Sequence, residues 1–466
     1  MSNTLQFDAA TLRRYDRPGP RYTSYPTAPH FGPHFTESTL RAHIRQSNAG
    51  PIPRRLSLYV HIPYCFSPCF YCGCNRIITR DLSRARPYLQ RLEREIEMLG
   101  ALFDLDREVV QVHLGGGTPN FMRPAELGEL MASLRHHFRL NASAQRDFSI
   151  ELDPRHVAAA DIAHYASLGF NRASLGVQDF DPQVQRAVNR IQSVEETLRV
   201  IDNCRAADFR SINVDLIYGL PKQTLEGFAR TLDTVLASRP DRLAVYSYAH
   251  LPAMFKAQRQ IDDVDLPGNE EKLALLALAV DKLSGAGYRY IGMDHFALPT
   301  DDLAQAQEQG TLQRNFMGYT THADGDLVGF GMSAISHIGN GFSQNARDLP
   351  GWQRAIDGGH LPVWRGRHLD FDDELRGEVI QQLMCQGRID IPAIETRFDV
   401  DFPEYFADAL AGLSSLAADG LVTLTAQSIA ATPRGRLLLR VIAMCFDRYL
   451  ETAPLPVTRP QFSRVI

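Results

Sequence analysis

Residues 56–75 read LSLYVHIPYCFSPCFYCGCN. A β-branched, strand-like run stops at a proline, and four cysteines follow: Cys65, Cys69, Cys72 and Cys74. The other three cysteines, Cys204, Cys385 and Cys445, stand singly among apolar residues. Thiols so close along a chain bind a metal or cluster, form a disulfide, or do redox chemistry. The CxxxCxxC spacing of Cys65, Cys69 and Cys72 puts three soft ligands on one tight loop, with Phe66, Phe70 and Tyr71 available to shield what they hold. Three ligands on a four-iron cubane leave one iron open to a substrate. A structural zinc knot would more often split its ligands into two distant pairs. A disulfide needs an oxidising compartment, and MSNTLQFDAATLRRYD offers no basic segment leading into an apolar core. An open iron–sulfur site is therefore the favoured expectation.

The bulk properties narrow the class. The chain's 466 residues suffice for one barrel plus a smaller domain. Hydrophobic residues make up 44% and charged residues 22%, the balance of an ordinary globular protein. No apolar run reaches the roughly 18 residues that span a bilayer. A net charge of −5 and an isoelectric point near 6.3 argue against a general nucleic-acid binder. The expectation is a cytoplasmic monomer with neither nucleic acid nor membrane as partner.

Between residues 55 and 250 a short apolar run followed by an amphipathic helical stretch recurs. Six strands are expected, at 56–62, 109–114, 148–152, 172–177, 212–217 and 243–248. Between the first two, Leu89, Leu92, Ile96 and Leu99 recur at helical spacing. Alternating strands and helices imply parallel βαβ units, and six are fewer than the eight of a closed barrel. The fold class expected is α/β: a partial (β/α)6 barrel open on one side, with function at the C-terminal strand ends. There the polar residues collect: Cys65 to Cys72, Gly115 to Thr118, Glu151, Gln178, Asp215 and His250.

Three segments are expected: an arm (1–50), the barrel with accessory strands (51–365) and a mostly helical, winged-helix-like domain (366–466). The arm contains RPGPRYTSYPTAPHFGPHF, too rich in proline, glycine and aromatics for regular structure. Its aromatics Tyr15, Tyr22, Tyr25, Phe31 and Phe35 suit a segment laid over something apolar. The last segment is not notably basic, so packing against the barrel is expected rather than DNA binding.

A glycine triplet, Gly115 to Gly117, ends the second strand and is followed by Thr118 and Pro119. Alone it means a tight turn. After a CxxxCxxC loop in a βα barrel, it resembles the glycine motif of the radical S-adenosylmethionine superfamily. The resemblance sharpens with GPRYTSYPTA (19–28), SIELDP (149–154), SLGVQDF (174–180), NVDLIYGLP (213–221), YSYAHLP (246–252) and RNFMGYTT (314–321). Together these resemble the oxygen-independent coproporphyrinogen III oxidase family over nearly the whole chain.

That resemblance implies a [4Fe–4S] cluster on Cys65, Cys69 and Cys72, with S-adenosylmethionine on the open iron. Reduction by a one-electron donor would release a 5′-deoxyadenosyl radical. The radical would take a hydrogen atom from a propionate β-carbon of coproporphyrinogen III, and loss of CO₂ and an electron would leave a vinyl group. The resemblance places Tyr59, Gly116, Gly117, Thr118, Glu151, Gln178, Arg190 and Asp215 at the cofactor. It implies a second S-adenosylmethionine near Tyr71, Phe316, Met317 and Ile335, with Met317 where the family has glutamine. Cys74 is too close to Cys72 to ligate the cubane, and it distinguishes the chain from haem-chaperone relatives. Four propionates call for cationic partners, and Arg21, Lys222 and Arg314 lie in family-like motifs. The alternatives are a haem-binding chaperone, a radical methyltransferase releasing S-adenosylhomocysteine, and a colourless zinc protein.

Overall fold

In the computed structural model, which describes residues 5–322, 324–451 and 463–464, all six expected strands form. They are β1 (Leu56–Ile62), β2 (Glu108–Gly116), β3 (Asp147–Leu152), β4 (Arg172–Gln178), β5 (Ser211–Tyr218) and β6 (Arg242–Ser247). They lie side by side in that order, each parallel to the next.

Period-two alternation decides the two faces. On β1, Leu56, Leu58, Val60 and Ile62 point outward and are buried, with α3 (Ala85–Gly100) supplying Leu89, Leu92, Ile96 and Leu99 to the same core. The intervening residues face inward, and they are polar. Register lines up Tyr59 with His113, His113 with Ser149, Glu151 with Ser174, and Ser174 with Asn213. A closed barrel fills its lumen with branched apolar side chains; this one is lined for binding.

The sheet runs further than six strands. Beyond β6 it adds β7 (Arg289–Gly292) and β8 (His295–Ala297), both antiparallel. A separate hairpin, β9 (Gln313–Asn315) and β10 (Gly318–Thr320), reaches back to the lumen. On the other side β1 pairs in parallel with β11 (Asp326–Phe330), followed by antiparallel β12 (Ile335–Ile338), β13 (Gly341–Asn345) and β14 (Val363–His368). The sheet does not close: β1 and β6 each pair with an added strand instead of each other.

After β14 come a long helix (Phe371–Gln386), shorter helices and a three-stranded antiparallel sheet, Arg388–Asp390, Val422–Leu424 and Ser428–Ala431. Leu375, Val379, Leu383, Ile394 and Leu413 form its own core. The expected final helix is broken: a 3₁₀ turn precedes Leu439–Met444, and a separate turn of helix begins at Arg448.

The arm departs from expectation. Its proline-rich middle is irregular, but helices α1 (Ala9–Tyr15) and α2 (Glu37–Asn48) flank it, capped by Asp8 and Thr36. Tyr22 and Tyr25 pack in the C-terminal core, Phe35 in the barrel core, and Phe31 stacks on Phe342 at 5.4 Å.

Candidate active site

The cysteine loop leaves β1 and is held by bonds from outside itself. The Phe70 N–H donates to the Val188 carbonyl (2.9 Å), Asn189 Nδ2 to the Pro68 carbonyl (2.7 Å), and Gln258 Nε2 to the Tyr71 carbonyl (2.9 Å). Arg76 donates to the carbonyls of Cys69 (3.1 Å) and Cys72 (3.2 Å). This preorganises the loop before any ligand arrives.

Each of the three predicted ligands has a donor at its sulfur. Thr118 Oγ1 lies 3.4 Å from Cys65 Sγ, Arg190 Nη1 3.5 Å from Cys69 Sγ, and the Cys74 N–H 3.4 Å from Cys72 Sγ. Such bonds stabilise thiolates and tune clusters. The Cys74 thiol, Arg76 and Arg190 draw the Cys72 thiol down to about 6, whereas burial pushes Cys65 up to about 11. Among the described residues, no three Cys, His, Asp or Glu side chains converge on one ion. Each thiolate of a cubane bonds its own iron, and three thiols on one loop with a donor at each sulfur fit such a cluster.

The glycine triplet makes a cradle beside this loop. Gly116 has φ +113°, and a Cβ there would stand 2.5 Å from the His61 ring; one at Gly117 would stand 2.7 Å from the Pro63 backbone. The Gly116 N–H donates to Glu151 Oε2 (3.1 Å), and the Gly117 N–H to the Ile62 carbonyl (2.8 Å).

The lumen wall carries the remaining predicted residues. Tyr59 bonds His61 Nδ1 (3.0 Å) and stacks on His113 at 5.8 Å. His113 reaches Ser149 (2.6 Å) and Glu151 (3.2 Å). Burial opposes the charge on Glu151, but His113, the Gly116 N–H and His61 outweigh it and hold its carboxyl below the usual range. Asp215, bonded to Asn213 and Ser174, is pushed up to about 6 by burial. Gln178 sits at a bulge with φ +69°. Arg190 donates to the Gly176 carbonyl (2.5 Å) and lies 3.6 Å from Asp153, with its buried Nε unpartnered. A cavity of about 170 Å³ is lined by His113, Glu151, Asp215, Tyr246, His295 and Met317.

The residues expected at a second cofactor are split. Phe316 and Ile335 pack with Phe31 and Phe342, Met317 lines the lumen, and Tyr71 belongs to another cluster with Val188 and Leu220. Among the expected cations, Lys222 pairs with Asp265 (3.1 Å), Arg21 with Asp294, and His250 bonds Tyr248 (2.8 Å) and Asp263 (2.9 Å). Arg314 has no carboxylate partner among the described residues. A second cavity, about 1500 Å³, lies away from the cysteines, between the arm, the β9–β10 hairpin and the C-terminal segment.

Sequence reasoning missed His61 and His113. Both sit in strands that were found, two residues on from Tyr59 and from Gln111. Reading those strands by alternate residues would have exposed them as lumen-facing.

A cysteine loop at a strand end, a glycine cradle and an open parallel barrel are the parts of a radical S-adenosylmethionine protein. The Radical SAM superfamily model matches residues 59–235, and the HemN C-terminal domain model matches residues 369–438. Within that class, the chain belongs to the oxygen-independent coproporphyrinogen III oxidase family. It is 51% identical over 466 residues to the Pseudomonas aeruginosa oxygen-independent coproporphyrinogen III oxidase, covering 100% of both chains. It is 48% identical to that of Salmonella typhimurium, covering 99% of each. A solved coproporphyrinogen III oxidase from Escherichia coli, described as a radical SAM enzyme, superposes with a TM-score of 0.91 at 46% identity, covering 96% of this chain and 100% of that one. Among the described residues no helix is long and apolar enough to cross a membrane.

Proposed function

We propose that this protein converts coproporphyrinogen III to protoporphyrinogen IX in haem biosynthesis, turning two propionate side chains into vinyl groups without oxygen. The observation that carries the reading is the cysteine loop with a donor at each sulfur, in a chain matched end to end by enzymes of that name. At each propionate a C–H bond and the C–C bond to the carboxyl break: the hydrogen atom passes to the deoxyadenosyl group, CO₂ leaves, and one electron passes to a one-electron acceptor outside the chain.

When bound, the [4Fe–4S] cluster and S-adenosylmethionine supply the 5′-deoxyadenosyl radical that takes the hydrogen atom. Cys65, Cys69 and Cys72 would hold the cluster, with Thr118 and Arg190 donating to the sulfurs of Cys65 and Cys69. Gly116 and Gly117 let the cofactor approach the backbone. Thr118, Glu151, Gln178, Arg190 and Asp215 hold its hydroxyl, amino and carboxylate groups, and Tyr59 closes the pocket. A second S-adenosylmethionine is held near Tyr71, Phe316, Met317 and Ile335, with the Met317 thioether in place of an amide. The polar lumen fixes the reacting carbon and keeps stray hydrogen donors out. The enzyme works as a cytoplasmic monomer fed by a one-electron donor. The arm (1–50) lies over the barrel (51–365), and 366–466 is a winged-helix-like cover, residues 1–4, 323, 452–462 and 465–466 lying outside the described ones.

The test is an anaerobic assay of iron-reconstituted protein with dithionite, S-adenosylmethionine and coproporphyrinogen III. Protoporphyrinogen with methionine and 5′-deoxyadenosine, all abolished by Cys65→Ala, is expected. Deoxyadenosine without porphyrin turnover would overturn the substrate, and a colourless protein without cleavage would overturn the chemistry.

A further inference from the structure

The 1500 Å³ cavity exceeds the roughly 300–1,000 Å³ of sites for drug-sized ligands, and not every arginine that lines it is paired with a carboxylate. Three of its six acidic residues are already paired, Glu378 with Arg397, Asp373 with Arg448, and Glu308 with Arg289, while Asp324, Glu374 and Asp390 form no ion pair among the described residues. Arg314 and Arg436, which also line it, have no carboxylate within ion-pair distance among the described residues.

Arg314 is the more demanding of the two. It is only 7% exposed, and its Nε and Nη1 are buried without an acceptor. Its guanidinium lies 4.7 Å from the centre of the Tyr319 ring, and the Tyr319 hydroxyl donates to the Met384 carbonyl (3.0 Å). The stack and the hairpin therefore fix the group in place. Arg436 donates to the Tyr290 carbonyl (3.1 Å) and lies over the Tyr290 ring, but its Nε is also unpartnered. Nearby, the Asp294 carboxylate is engaged by Arg21. An arginine cannot shed its charge, and burying that charge unpaired is costly. A planar guanidinium held over an aromatic ring with free N–H groups is suited to a carboxylate.

The hairpin links this place to the chemistry. Arg314, Asn315 and Phe316 face the large cavity, while Met317, Gly318 and Tyr319 line the lumen beside Glu151 and Asp215.

We propose that Arg314, supported by Arg436, binds a carboxylate, and that this carboxylate is a non-reacting propionate of the tetrapyrrole. The inference rests on the coproporphyrinogen reading and adds the residues that recognise the substrate's charge. The carboxylate of an S-adenosylmethionine has the same chemistry, and the experiment separates the two.

Reconstituted enzyme is titrated with coproporphyrin III, the fluorescent oxidised form bearing the same four carboxylates, and separately with its tetramethyl ester. Arg314→Gln is expected to weaken coproporphyrin III binding at least ~10-fold, the scale of a lost charge-assisted hydrogen bond. Arg314→Lys is expected to fall between, keeping charge without the fork, and the ester is expected to bind all three proteins alike. Unchanged coproporphyrin III affinity in folded Arg314→Gln would overturn the site. A loss confined to S-adenosylmethionine affinity would give the carboxylate to the cofactor and overturn the substrate assignment. If Arg314→Gln does not fold, Arg436→Gln at its half-buried position decides by the same titration. Wild type that makes no protoporphyrinogen would fail the function itself, whereas wild type that turns over beside an unaffected variant fails only this site.

Discussion

At Gly116 the demand on a single residue is sharpest, because the positive φ and the His61 ring both exclude a side chain. Gly116→Ala is expected to cost about 1–3 kcal/mol from backbone strain alone, seen as a lower denaturation midpoint, and to weaken S-adenosylmethionine binding. An unchanged midpoint would mean the turn can relax. Glu95 makes a different prediction. It is fully buried on α3, accepting from the Gly331 N–H (2.8 Å), Asn345 Nδ2 (2.7 Å) and Trp352 Nε1 (3.1 Å), yet burial pushes it up to about 7. A carboxyl raised on folding is neutral in both states below about 4.5, the ordinary glutamate value, so its stabilising contribution is complete there. That contribution is lost as pH rises from about 4.5 through about 7. Urea unfolding at several pH values should show this slope in wild type and a flatter one in Glu95→Gln.

At the scale of elements, the strands were legible and their inward faces only in part: Tyr59, Glu151 and Asp215 stood out, His61 and His113 did not. Apolar runs gave β1 to β6 within a residue or two, because burial under helices demands Leu, Val and Ile at alternate positions. The partners of the residues between them come from other strands, at sequence separations that no local pattern records. Arg172 is the clearest case: on β4 it meets Asp147 of β3 (3.1 Å) and Asp302 after β8. All three polar heads are largely removed from water. Arg172→Met is expected to destabilise by about 3–5 kcal/mol, since the buried Asp147 loses its cation while Asp302 keeps Arg210 (2.7 Å). Chemical denaturation measures this, and a loss below 1 kcal/mol would show the carboxylates are solvated. The helices of the arm escaped notice because the proline-rich middle dominates its composition. The caps Asp8 and Thr36 were the available signal.

Over the whole molecule, the arm is a tie between two cores. Tyr22 is 3% exposed in the C-terminal core and donates to Asp447 Oδ2 (2.9 Å), whereas Phe35, thirteen residues on, belongs to the barrel. Tyr22→Ala, a large-to-small core change of about 3–5 kcal/mol, is therefore expected to lower the transition reported by Trp352 in the barrel as well as that reported by helical circular dichroism. Early loss of helix with an unmoved Trp352 signal would show that the cores unfold separately.

The sequence by itself determined the class of chemistry, since three thiols at CxxxCxxC spacing after a strand are a local fact, as is the alternation that places six strands. Tertiary structure alone decided which polar groups remain without partners. Arg21, Lys222 and Arg314 look alike as cations in a sequence, but among the described residues two fold against aspartates and the third does not. The difference arises from long-range packing: pairing depends on which carboxylates the fold brings within about 4 Å, and buried charge acquires its cost only once water is excluded.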